Sequence, residues 1–276
     1  MPSSPLHNDK AMKATYSSCS ACRTFLILCI LTLMPAVMGQ STDSTEKINY
    51  FGGSVTLTNN GVSFLPSFSL GKPAALFNMK VGRKLTFEPE LRFGLDGKPW
   101  AFIFWWRYKF LSERRFQIRV GAHPSILFAS MPVTVDGVTG DKLIARRYIA
   151  TEISPDFYIT KKISLGMYYL KGYGFQDDAV KNTDFITLNA KFSDIRLSKK
   201  VSLGLYPQFY YLRMDETDGF YFSSTQALHI KDFPLSIASV INVPIESDVV
   251  GGQDFVWNVS LIYSFGNQYR LFYQED

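Results

Sequence analysis

Beyond residue 39 the chain has no cysteine. Its three thiols, Cys19, Cys22 and Cys29, all lie in the N-terminal segment. The remainder can hold neither a disulfide framework nor a thiolate metal site. Histidine is almost as scarce there: only His123 and His229 occur, far apart, too few ligands for a zinc centre. No Walker loop, Gly-rich dinucleotide fingerprint or HExxH is present, so neither a metal nor a cofactor is expected. No basic run marks a nucleic-acid surface. After residue 39 no apolar stretch reaches the roughly 18 residues of a membrane helix.

One shorter apolar run does occur, at the start. Arg23 precedes FLILCILTLM, Pro35 follows, and Val37-Met38-Gly39 supplies small residues before a cut near Gly39-Gln40. This is the pattern of a cleaved secretory signal peptide over residues 1–39, with Met12 as an alternative start. Without Lys10, Lys13, Arg23 and Asp9, the 29 basic and 24 acidic residues become 26 and 23, a net charge of +3.

Aromatic side chains, by contrast, are plentiful, with 23 Phe and 15 Tyr. They alternate with charge in residues 88–110, EPELRFGLDGKPWAFIFWWRYKF. Phe87, Pro89, Leu91, Phe93 and Leu95 share one parity; Glu88, Glu90 and Arg92 share the other. Two strand faces follow, one oily and one polar. A two-residue Asp96-Gly97 turn, pairing Leu95 with Lys98, sets Arg92 opposite Ala101, Glu90 opposite Ile103 and Glu88 opposite Trp105, so like faces meet. Trp100 and Tyr108 fall on the oily face about 20 Å apart in height, near the separation of the aromatic girdles of a membrane barrel.

The connections alternate in kind. Short basic ones fall at 82–84, 112–115, 160–162, 198–200 and 231–232. Longer, mostly acidic ones fall at 94–98, 131–142, 176–182, 213–218 and 246–253. Short periplasmic turns opposite longer outer loops are expected of an outer-membrane barrel. Twelve strands fit between them, at about 61–70, 74–81, 85–94, 99–110, 116–130, 143–159, 163–175, 183–195, 201–212, 219–230, 233–245 and 254–265. The expected fold is all-β: a transmembrane antiparallel up-and-down barrel, with fourteen strands as the alternative. Residues 40–60 are read as a lead-in or plug (48–58 could also be a further strand), 61–265 as the barrel and 266–276 as a tail. Prolines 66, 89, 124, 155 and 207 interrupt the strands, either as bulges or as a strained ring at a constriction.

The block LGKPAALFNMKVGRKLTFEPELRFGLDGKPWAFIFWWRYKF and the closing WNVSLIYSF give the chain its resemblance to the twelve-to-fourteen-stranded outer-membrane barrels common in Bacteroidota. The likeness covers most of the chain after the leader. It implies an outer-membrane location and contact with outer-membrane lipid, and it names no reaction.

The inward parity gathers Glu88, Glu90, Arg92, Arg107, Lys109, Arg119, Arg146, Glu152, Asp156 and Lys191 as lumen-lining candidates. A three-residue turn at 112–114 would set Lys109 opposite Gln117. Such charges need water or partners. A small-solute diffusion channel and a closed barrel with a structural or interaction role both satisfy that. A third reading rests on His123-Pro124-Ser125, which resembles the His-x-Ser pair of membrane-embedded lipid hydrolases, with Glu152 as the orienting acid. The Asn-Gly that follows that pair is replaced here by Ile126-Leu127, and parity turns His123 inward rather than toward lipid. The plainer reading is a lumen histidine hydrogen-bonded to a carboxylate. The solute, loop partners and oligomeric state are not written in the sequence.

Overall fold

The structure, a computed structural model, describes residues 48–135 and 138–270. The leader 1–39 and residues 271–276 lie outside the described residues. Twelve strands follow in chain order: β1 (Ile48–Thr58), β2 (Ala74–Gly82), β3 (Leu85–Gly94), β4 (Pro99–Ser112), β5 (Phe116–Val135), β6 (Val138–Tyr158), β7 (Ile163–Gly174), β8 (Asn182–Arg196), β9 (Val201–Met214), β10 (Thr217–Ile230), β11 (Leu235–Ser247) and β12 (Val256–Arg270). Each pairs antiparallel with its chain neighbours, and β12 closes on β1 with Arg270 opposite Ile48. The barrel therefore has twelve strands, not fourteen. Among the described residues no helix is long and apolar enough to cross a membrane.

The number twelve is reached with different members. Residues 48–58, assigned to the lead-in or plug, form β1. Residues 61–70, expected as the first strand, are not a ladder strand. They fold on themselves through a lone Val62–Ser69 bridge, with Ser63 N donating to Phe68 O (2.8 Å) and Leu70 N to Gly61 O (2.7 Å). Val62, Phe64, Pro66, Phe68 and Leu70 alternate with Ser63, Ser67 and Ser69 much as a strand would, with Leu65 the exception, which explains the expectation. Pro66 at the tip and Gly71, at φ 70°, bend the segment instead. The expected loop 131–142 is largely strand, since β5 and β6 extend to Val135 and Val138. The tail begins as strand too, through Arg270.

The first hairpin keeps its expected register by two offsetting departures. Gly94 N donates to Lys98 O (2.9 Å), so the turn holds three residues, with Gly97 at φ 79°. A bulge between Arg92 and Phe93 then restores Arg92 opposite Ala101, Glu90 opposite Ile103 and Glu88 opposite Trp105. Trp100 sits at that bulge and leaves the oily face, its ring 5.7 Å from the Arg92 guanidinium. Between β4 and β5 a second irregularity sets Lys109 opposite Arg119, not Gln117, without changing which way either points. Prolines 89, 124, 155 and 207 all have the outward parity. The register irregularities fall elsewhere, at 92/93, 109/111, 192/195 and 220/221, so these prolines neither make bulges nor ring the lumen.

The outward faces form an apolar belt that suits hydrocarbon. Leu188, Phe209, Ile237, Trp257 and Leu261 are each about half exposed, all of them on the outer wall. Leu188 is midway along β8 and 58% exposed. Leu188→Arg should destabilise the barrel in lipid by about 2–4 kcal/mol. Gln208→Arg, next door on β9 but facing inward, should cost far less. Urea titration of the two variants folded in vesicles checks the difference; equal losses would contradict the assignment of faces.

Candidate functional site

The lumen is layered. At the loop end, residues 59–73 between β1 and β2 turn into the barrel. Phe64 packs against Trp105, Tyr168 and Phe185 at ring separations of 5.8, 5.8 and 6.0 Å. Leu65 and Phe68 join the same cluster with Ile103, Leu170, Tyr210, Leu212, Tyr221 and Val249. Polar contacts pin the segment. Arg92 Nη1 donates to Val62 O (3.2 Å), Gln253 N to Ser67 O (3.1 Å) and Ser69 Oγ to Gln253 Oε1 (3.0 Å). At its base Lys72 donates to Asp96 (2.6 Å), which holds that carboxyl below the usual carboxylate range. The segment is thus a plug.

Two residues nearer the turn end, each inward face changes character. Trp105 gives way to Arg107, Phe185 to Thr187, Tyr210 to Gln208 and Tyr221 to Ser223. These second residues border a cavity of about 670 Å³ roofed by Phe64. Hydroxyls and amides such as Thr56, Thr58, Asn189 and Asn258 alternate in its wall with apolar groups such as Leu76 and Ile262, and Arg107, Arg119 and Lys191 are its charges. No carboxylate lines it among the described residues.

Beside the cavity lies an ion network. Glu152, whose side chain is fully buried, accepts from Arg107 Nε (2.7 Å), Arg107 Nη2 (3.3 Å) and Tyr168 Oη (2.7 Å). Glu88 accepts from Arg107 Nη1 (2.6 Å), Lys80 Nζ (2.5 Å) and Thr86 Oγ1 (2.8 Å). The Arg107 guanidinium also lies 3.9 Å over the Trp105 ring. Arg119 is the third cation in the group: its Nε is 4.0 Å from Glu152, makes no hydrogen bond, and its side chain remains 33% exposed. Lys80, Arg107 and Arg119 against Glu88 and Glu152 leave one positive charge in excess. Arg107 is committed to two carboxylates, so the excess falls toward Arg119 and the cavity.

The ten lumen candidates therefore divide. Glu88, Arg107, Arg119 and Glu152 meet in one network. Lys191 pairs with Asp156 (2.7 Å) at the cavity wall. Glu90 pairs with Arg92 (2.8 Å) beneath the plug. Lys109 is exposed toward the turn end of β4, and Arg146 is drawn to Asp178 (3.0 Å) near the loop end. The parity reading missed the plug, Lys80 and Tyr168, and gave no weight to the hydroxyl and amide wall.

His123 and Ser125 point inward and are buried, at 7% and 5% exposure. The His123 ring packs 4.0 Å from Trp105, and its Nδ1 has no hydrogen-bond partner. Glu152 is occupied by Arg107 and Tyr168, so it neither orients the histidine nor bonds to it. Among the described residues the hydrolase constellation is not assembled, and His123 makes no bond to a carboxylate.

Comparison with solved structures places the architecture. KdgM porin aligns with a TM-score of 0.50 and 10% identity, over 78% of this chain and 99% of that one. An outer membrane channel from Pseudomonas putida F1 gives 0.46 and 11%, over 82% and 100%. NanC porin gives 0.46 and 11%, over 77% and 98%. No family model and no curated protein matches the chain. At such identity, the likeness to KdgM porin shows the fold alone: a closed antiparallel barrel like the one in that structure.

Proposed function

We propose that the protein is an outer-membrane channel for small solutes, preferring anions, and closed in the conformation described by its own β1–β2 segment. The observation that carries this reading is the cavity under Phe64, whose charged lining among the described residues is three cations and no carboxylate. A barrel evolved only as a scaffold has no need of a chamber bordered by a guanidinium held through a 4.0 Å ion contact. On this reading the basic turns face the periplasm and the plug closes the outer mouth. The leader supplies export, and the likeness to Bacteroidota barrels in residues 70–110 and 257–265 suggests the type of cell. A closed interaction barrel is the second reading, favoured by the aromatic packing of the plug.

A reversible lock separates the two. Ser69 and Gln253 touch through their side chains at 3.0 Å. With Cys19, Cys22 and Cys29 replaced by serine, Ser69→Cys with Gln253→Cys can be joined by a short bis-methanethiosulfonate cross-linker, which spans the length of the lost glutamine and holds the plug in place. In planar bilayers the cross-linked protein should conduct nothing, and reductant should restore openings. Equal conductance in both states would remove the plug as the gate. Silence in both states would favour the closed barrel.

A further inference from the structure

The apolar belt is broken at one place in its middle. On β10 the outward row reads Phe220, Phe222, Ser224, Gln226, Leu228, Ile230; on β11 it reads Leu235, Ile237, Ser239, Ile241, Val243, Ile245. Gln226 lies opposite Ser239, and Ser239 lies opposite Val259, which stands between the girdle aromatics Trp257 and Tyr263 of β12. Gln226 and Ser239 thus share one level at mid-belt, with Ser224 two residues along β10 toward the loop end. Other outward polar groups, such as Lys171, Asp184, Arg213 and Asp218, lie near the loop ends of their strands, where water is close.

A carboxamide has two donors and two acceptor positions. Gln226 Nε2 donates to Ser224 Oγ (2.8 Å), a bond within the same strand that uses one donor. Hydrocarbon offers nothing to the rest, and unpaired polar groups in lipid are costly. Water and lipid headgroups are a half-membrane away. We infer that the β10–β11 wall is where two copies of this chain pack in the membrane, with Gln226 of each bonding to the other. The occupant follows from the chemistry. A primary amide is both donor and acceptor, so it complements itself across a two-fold axis, as an isologous contact requires. Ser224 on the same strand and Ser239 on β11 keep the wall low enough on that side for the amides to approach. Polar side chains serve in this way between membrane segments generally.

The test is independent of conduction. In the full chain with Cys19, Cys22 and Cys29 changed to serine, Ser239→Cys should give a covalent dimer on oxidation in phosphatidylcholine vesicles. Phe104→Cys, on the opposite wall, should not. Adding Gln226→Leu to the Ser239→Cys protein should reduce the dimer at least several-fold, and single-molecule photobleaching of Gln226→Leu alone should show one step where wild type shows two. Leucine suits the belt, so the variant should keep its heat-modifiable gel mobility, separating lost association from lost folding. One-step bleaching of wild type, equal cross-linking at both cysteines, or an undiminished Gln226→Leu dimer would each overturn the inference.

Discussion

Removing the plug should turn an occluded barrel into a continuous conductor. Thr58 and Ala74 are already register partners on β1 and β2. Residues 59–73 can therefore be replaced by Asn-Gly, the two-residue connection that matches hairpin twist. Every strand ladder is left intact. What is lost is the burial of Phe64, Leu65 and Phe68, up to about 3 kcal/mol each, so the shortened protein should fold but unfold at lower urea. With the aromatic layer unfilled, the cavity below opens to the loop end, and conductance should rise at least several-fold over wild type. A folded variant that conducts no better would show that another element blocks the lumen.

Reversing the charge at Arg119 should reverse ion preference. Arg107 is balanced by Glu88 and Glu152, whereas Arg119 lines the cavity with only a 4.0 Å contact to a carboxylate already engaged. A unit charge about 6 Å from a passing ion contributes roughly 1 kcal/mol in a wet lumen of intermediate dielectric. Arg119→Glu changes the sign and so moves anions and cations by about 2 kcal/mol each in opposite senses; the anion-to-cation permeability ratio should fall by well over tenfold, more at low salt where screening is weak. Reversal potentials in asymmetric salt give the ratio directly, best measured with the plug removed. An unchanged ratio would mean that ions do not pass Arg119. Replacing Arg107 is a poorer test, because it strands the buried Glu152 and unsettles the fold.

Much of this was legible in the sequence because a barrel strand has period two. Glu88, Glu90, Arg92, Arg107 and Arg119 betrayed their direction through their neighbours alone, and the strand count followed from the rhythm of the connections. Residues 48–58 and 61–70 were exchanged for a physical reason. In β1, Gly52-Gly53 blurs the alternation of INYFGGSVTLT, whereas Val62, Phe64, Phe68 and Leu70 of the plug keep a strand-like parity that Leu65 alone breaks. Parity tells which way a side chain points but not what it meets. It could not show that Glu152 serves Arg107 and Tyr168 rather than His123, since Arg107 reaches it from β4 across Gly121 of β5 and Tyr168 comes from β7. Nor could it foresee Trp100 at a bulge, where a third turn residue had to be absorbed.

The account stands most directly on single-channel recording of the purified, unmodified protein in a planar bilayer. It predicts brief anion-preferring openings from a closed baseline, becoming continuous when residues 59–73 are replaced by Asn-Gly. Silence from both proteins, each shown to be folded and inserted, would contradict it.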